Sequence, residues 1–181
     1  MPIRNALTIC LLMTCLIANG PGCLAAGTSG PPAHVSNSPR EPAENPAATY
    51  ANVRYGYTIE YPGDLLVPGG EADNGDGLVF SARSGNAKVA VWGRFNAADE
   101  TPVQLLHSDE QRPCAGAQAS YEISKRTLVA FSCRTPNNEI VYEKMIIHGD
   151  TLAVVRFTYP ATEETNWSPV VKQMAGSLRI E

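Results

Sequence analysis

Apolar and polar residues alternate along Tyr57-Thr58-Ile59-Glu60-Tyr61, and Pro62-Gly63-Asp64 stops the run. Period-two alternation closed by turn residues predicts a strand. The same reading gives strands over Leu78–Ala82 and Lys88–Phe95, split by the turn Arg83-Ser84-Gly85-Asn86. Tyr121–Lys125 and Thr127–Arg134 read as one long strand or two consecutive ones. Glu139–His148 and Leu152–Tyr159 predict a hairpin about Gly149-Asp150, two residue types that accept the positive φ of a tight turn.

Two stretches switch to helical spacing. Thr101-Pro102-Val103-Gln104 has the form of a capping box with proline at the first helical position, and Val103 and Leu106 then share a face. This helix is expected to stop before Pro113. A second helix is expected from Ser168-Pro169, with Val170, Val171, Met174 and Leu178 as its apolar stripe. About six or seven strands on short turns, with one helix midway and one at the end, predict an α+β fold: an antiparallel sheet in an α-β-α sandwich with two main helices.

The N-terminal part follows other rules. Arg4 precedes the uncharged run Ala6–Ala18, and small residues lead to Leu24-Ala25-Ala26. That is the tripartite form of a secretory signal, with an apolar core too short to span a bilayer comfortably. Residues 1–26 are therefore expected to be removed on export, leaving no membrane span in the mature protein and placing it in the periplasm or outside the cell. Lipid attachment at Cys23 is the rival outcome, against which Gly20-Pro21-Gly22 fits the required residues poorly. Residues 27–49, rich in Pro, Gly, Ser and Ala, hold too little apolar surface to offset their ordering entropy and read as a flexible linker. Residues 50–181 are then the one folded domain.

The chain's formal charge of −4 falls on that domain, because the segment before it carries only Arg4, Arg40, Glu41 and Glu44. Without a basic run or a basic helical face, nucleic acid and anionic membrane surfaces are poor partners.

The stretch Glu71–Phe80, EADNGDGLVF, raises the question of a cation loop. A calcium loop begun at Asp73 would need oxygen ligands at its third and fifth positions, where Gly75 and Gly77 stand, and a glutamate at the twelfth, where Ser84 stands. Asn74-Gly75 and Asp76-Gly77 read instead as consecutive turn dipeptides. Glu71, Asp73 and Asp76 stay as candidates for a weak cation or a partner's basic group. No metal or cofactor is expected.

Removing the signal removes Cys10, Cys15 and Cys23, so Cys114 and Cys133 remain, and two cysteines in an exported chain read as one disulfide. Cys133 alternates in phase with Val129 and Phe131, which turns it inward; Cys114 follows Pro113. The competing reading, a Cys114 nucleophile served by His107, lacks a third orienting group. The chain contains no G-x-S-x-G, H-E-x-x-H or C-x-x-C, and neither His107 nor His148 has a second imidazole at metal-ligand spacing. Tyr57 and Tyr61 share the Ile59 face and are expected in the core. Tyr50 and Tyr55 are candidates for an exposed binding surface. Trp92 alternates out of phase with Val89 and Val91 and covers the other sheet face: beneath a helix it is core, the favoured reading, and without one it is an interaction patch.

The run VRYGYTIEYP, the DNGDG turn, the strand bearing Val91-Trp92-Gly93 and the proline-capped final helix resemble the bacterial members of the PsbP-like superfamily. That superfamily includes the lumenal photosystem extrinsic subunit P and the Mog-type Ran-binding proteins. The resemblance spans most of residues 52–180 and rests on turns and core positions. It implies an α-β-α sandwich and a tendency to act by binding other proteins, and it brings no catalytic motif. The expectation is a non-enzymatic exported protein of the bacterial envelope that binds a protein or cell-wall partner. The alternatives are an enzyme using the acidic groups of residues 71–76 with His107, and a lipoprotein anchored through Cys23.

Overall fold

The computed structural model describes residues 47–114 and 116–181. The expected signal over residues 1–26, Cys23, and residues 27–46 of the expected linker lie outside them. Ten strands and two helices run in the order β1 (Ala48–Asn52), β2 (Tyr57–Tyr61), β3 (Leu66–Glu71), β4 (Gly77–Ala82), β5 (Lys88–Phe95), α1 (Pro102–Cys114), β6 (Ala119–Lys125), β7 (Leu128–Arg134), β8 (Glu139–His148), β9 (Thr151–Pro160), α2 (Glu164–Ser177) and β10 (Arg179–Ile180). Strands β3 to β9 form one seven-stranded sheet in the order β3-β4-β5-β9-β8-β7-β6, and a three-stranded sheet is ordered β1-β2-β10. Every pairing is antiparallel.

Alternation along the strands feeds two separate cores. On one face of the large sheet, Phe80, Val89, Val91, Val155 and Phe157 pack with Trp167, Val170, Val171 and Met174 of α2 and with Tyr57 and Ile59 of the small sheet. On the other, Val129, Phe131, Val141, Met145, Leu152 and Val154 pack with Leu105 and Leu106 of α1. Strand β9 serves both: Leu152 and Val154 face α1, while Ala153, Val155 and Phe157 face α2. The two-helix sandwich is thus matched in part. The molecule is mostly sheet, with β1, β2 and β10 sharing one outer layer with α2.

Several elements depart from the sequence expectations, each for an identifiable reason. β1 takes in Ala48 and Thr49, assigned above to the linker, because their backbone pairs with Tyr61 and Glu60. Helix α1 runs through Pro113 instead of ending before it. A proline in the last turn removes only one intrahelical donor, and the adjoining Cys114 is buried and tied to the sheet. Val103 is exposed, not part of the apolar face; the face toward the sheet is Leu105, Leu106 and, one turn on, Asp109. Helix α2 starts at Glu164, ahead of the expected Ser168-Pro169, preceded by a 3-10 turn over Ala161–Glu163. Trp167 draws the start forward: it stacks on Tyr159 at 6.0 Å, donates to Glu163 at 3.1 Å, and adds a turn to the buried stripe Val170-Val171-Met174. Pro169 sits on the exposed side of the helix. The expected capping box is formed, with the Thr101 N–H donating to Gln104 Oε1 at 2.8 Å.

Gly93 shows how the β1–β2 turn is seated on the large sheet. A Cβ there would lie 2.4 Å from Cγ and 2.5 Å from Cβ of Tyr55, so the Tyr55 ring occupies the space a side chain would need. Gly93→Ala should lower stability by about 1–3 kcal/mol in urea denaturation, the usual cost of overpacking. An unchanged midpoint would show that Tyr55 is free to swing away.

Candidate functional site

The acidic loop is a braced turn. The Tyr50 hydroxyl donates to Glu71 Oε1 at 2.8 Å, and Asn52 Nδ2 donates to the same oxygen at 3.2 Å and to the Gly75 carbonyl at 3.0 Å. Asn74 Nδ2 donates to Asp76 Oδ2 at 2.7 Å, and the Asp76 carbonyl accepts from the Tyr57 hydroxyl and the Gly93 N–H. Arg54 donates to the Asn74 carbonyl. Glu71 is thereby turned toward Tyr50 and Asn52 and Asp76 toward Asn74, while Asp73 is exposed at the turn. Among the described residues no group of three or more His, Cys, Asp or Glu side chains is placed to hold a metal ion. Millimolar calcium is expected to move the melting temperature by no more than about 1 °C. A rise of several degrees, abolished by Asp73→Ala with Asp76→Ala, would identify a cation loop instead.

Tyr50 and Tyr55 are both half-buried. Tyr50 packs edge-on against Tyr57 and Phe80, at 6.0 and 6.4 Å between ring centroids. Tyr55 lies on Gly93 with its ring 5.1 Å from that of the exposed Phe95, beneath the Arg54 guanidinium. Cys114 and Cys133 form a disulfide with Cα atoms 5.9 Å apart, and both are buried. His107 is exposed on α1, and no hydrogen bond among the described residues joins it to the acidic loop.

The structure gathers a different constellation on the α1-facing side of the large sheet. Helix α1 lies over β6 and β7, with Leu105 and Leu106 reaching the side chains of β8 and β9, and toward β5 and β4 the face is open. Two concavities meet there at Arg156. One, of about 740 Å³, is lined by Val79, Ser81, Lys88, Ala90, Glu139 and Thr158 among others; the second, of about 400 Å³, by Trp92, Arg94, Glu100, Ser108 and Asp109. Register explains the convergence. Trp92 pairs with Val154 and Ala90 with Arg156 across β5–β9, and Arg156 pairs with Glu143 across β8–β9.

The charges are coupled. Arg156 Nε donates to Glu143 Oε2 at 2.5 Å, and its guanidinium lies 4.9 Å from the centre of the Trp92 ring. Arg94 donates to Asp109 Oδ2 at 3.0 Å and lies 3.7 Å from Glu100. The Glu143 side chain is only 2% exposed, against 28% for Arg156. Burial pushes the Glu143 carboxyl up to about 7, with Asp109 adding to the rise and Arg156 and Arg94 opposing it. Trp92, expected to be core beneath a helix, is instead half-buried at the edge of the α1 core, with Arg156 over its ring.

None of these charged residues stands out in the sequence as a site, yet Glu143 and Asp109 carry a periodicity signal. Glu143 falls in phase with the buried Val141 and Met145, and Asp109 lies three and four residues beyond Leu106 and Leu105. A charge at a position whose neighbours in phase are apolar marks a partnered buried group.

The fold and site together define a class: an α+β protein whose antiparallel sheet is closed by a helix and a small sheet on one face and half-covered on the other. No family model matches the chain, and no curated protein sequence is significantly similar to it. Among solved structures it is similar to the solution structure of cyanobacterial PsbP (CyanoP) from Synechocystis sp. PCC 6803, with a TM-score of 0.59 and 11% sequence identity over 76% of this chain and 94% of that one. That likeness shows a PsbP-like fold, and at this identity it speaks for the fold alone. No helix among the described residues is long and apolar enough to cross a membrane.

Proposed function

We propose that the chain is an exported protein of the bacterial envelope, of the PsbP-like and Mog-type sandwich superfamily, which acts without catalysis by binding a protein or cell-wall partner on the open half of its large sheet. The observation that carries this reading is the incomplete cover of that face: α1 buries one part, and Val79, Ala90 and Trp92 line the concavities beside it. A sheet face carrying apolar groups between charged ones is surface a partner can bury. The N-terminal Arg4 and apolar run support export, and the Pro, Gly and Ser content of residues 27–49 supports their reading as a linker. Tyr55 with the exposed Phe95 forms a second, aromatic patch that a large partner would also meet.

The test is retention from envelope extract by the wild-type protein and by a Val79→Asp, Ala90→Arg variant with an unchanged circular dichroism spectrum. A partner held by the first and lost by the second is expected. No retained partner, or equal retention by both, would overturn the reading. Mass spectrometry of the exported protein should give Gly27 as the first residue; a diacylglyceryl Cys23 would replace the soluble form by a lipid-anchored one.

A further inference from the structure

We propose that Arg156 is the receptor for a ligand's carboxylate, with the ligand's apolar body lying on Ala90 and Val79 in the larger concavity. The Arg156 Nε is committed to Glu143, the buried carboxylate directly opposite it on β8, and the guanidinium sits over the Trp92 ring on its other side. Its two terminal nitrogens have no hydrogen-bond acceptor among the described residues, and the side chain lines both concavities. A guanidinium held by a carboxylate on one side and an aromatic ring on the other presents a restrained fork of N–H donors, the geometry that takes a carboxylate by two parallel hydrogen bonds. Fixing the side chain beforehand lowers the ordering cost of binding.

Charge balance selects Arg156 over its neighbours. Arg94 is already compensated by Asp109 and Glu100, and Lys88 lines the larger concavity together with Glu139. The counter-charge of Arg156 is Glu143, which is faced by Arg156 from β9, Asp109 from α1 and Arg94 from β5, while its β7 partner is the apolar Phe131. Glu143 takes up a proton near neutrality. Once it does, the Arg156 charge is unbalanced and an incoming carboxylate can supply the balance. Binding is therefore coupled to protonation of Glu143, and each strengthens the other. The body of the ligand follows from the lining. Val79 is 45% exposed and Ala90 adjoins it across β4–β5, so the floor beside Arg156 is apolar and suits a flat or aliphatic group.

This inference rests on the open sheet face being a binding surface, and names the chemistry that face recognises. The probe is benzoate, titrated into the exported protein and followed by the NMR signals of the Trp92 indole N–H and the Arg156 Nε–H. Saturable shifts at both are expected, with affinity at pH 6 at least about tenfold above that at pH 8.5, since two charges held this close interact strongly. Benzamide, which lacks the charge, should bind at least about tenfold more weakly than benzoate. Glu143→Gln should remove the pH dependence. Arg156→Lys retains the cation and the pairing with Glu143 but not the fork, and should weaken benzoate by about tenfold. Absence of shifts at Trp92, benzamide equal to benzoate, or inorganic phosphate binding as tightly as benzoate would each overturn the assignment. If benzoate fails while an envelope partner is still lost in the Val79→Asp, Ala90→Arg variant, the ligand chemistry is wrong and the binding face stands.

Discussion

Arg156→Met is expected to destabilise the protein by about 3–5 kcal/mol at pH 8 and by only about 1 kcal/mol at pH 5, because removing one partner strands a buried charge. Glu143 is 1% exposed and its pair with Arg156 spans β8–β9 in the middle of the large sheet. In the unfolded chain its carboxyl titrates near the ordinary 4.5, whereas in the folded protein burial raises it to about 7. The folded state therefore holds the proton more tightly. Stability from this group is fully present below about pH 4.5, declines as pH rises, and is lost through pH 7. Without Arg156 the larger of the two opposing charges disappears, Arg94 alone remains, and the carboxyl rises further, so the variant pays most where Glu143 must ionise. Urea denaturation of wild type, Arg156→Met and Glu143→Gln across pH 5–8 tests this. Glu143→Gln should flatten the pH dependence contributed by this site. An Arg156→Met deficit that is the same at pH 5 and pH 8 would remove Glu143 as its cause.

Replacing Cys114 and Cys133 together by serine should lower stability by about 2–4 kcal/mol, the usual range for a bridge of this kind. The two residues are 19 apart in sequence, and closing such a loop restrains the unfolded chain by about 3 kcal/mol in the entropy model. The loss should be felt first in α1. Its last turn contains Pro113, which cannot donate to the turn before it, and Cys114 anchors that turn to β7. Amide exchange in α1 should quicken in the double variant while β8 and β9 change little. Thiol titration of the denatured, unreduced protein should find almost no free thiol. Two reactive thiols in freshly purified, unreduced material would reverse the reading and reopen cysteine chemistry.

The strands legible in the sequence were those whose alternation is strict and whose ends carry turn residues, as in Tyr57–Tyr61, Lys88–Phe95 and the Glu139–Tyr159 hairpin. β3 escaped because Leu66–Glu71 holds Pro68, Gly69 and Gly70; it is an edge strand with a register shift, exposed after Leu66, and edges tolerate such residues. β10 is two residues long and exists only through its pairing with β2. Pro113 and Pro169 pointed to helix boundaries, but tertiary packing of Cys114 and Trp167 outweighed each local preference. The charged cleft was harder to see. Glu143, Arg156, Arg94 and Asp109 come from four elements, and which of them meet depends on the pairing of β5 with β9, a non-neighbouring choice that periodicity within one strand does not express.

That same β5–β9 pairing governs how the chain must fold. It is an eight-residue ladder from Lys88↔Thr158 to Phe95↔Thr151, and it joins two meanders, β3-β4-β5 and β6-β7-β8-β9. A chain emerging N-terminus first completes β5 long before β9 exists, and the side of β5 away from β4 then presents unpaired backbone groups. Its ladder closes only at the cost of a long loop, which makes assembly slow compared with that of the local hairpins. Once closed, neither meander can open separately without breaking a core that Val89, Val91, Val155 and Phe157 share across the seam. Amides along this ladder should accordingly exchange only when the whole domain unfolds, so the junction acts as the last lock to engage and the last to release.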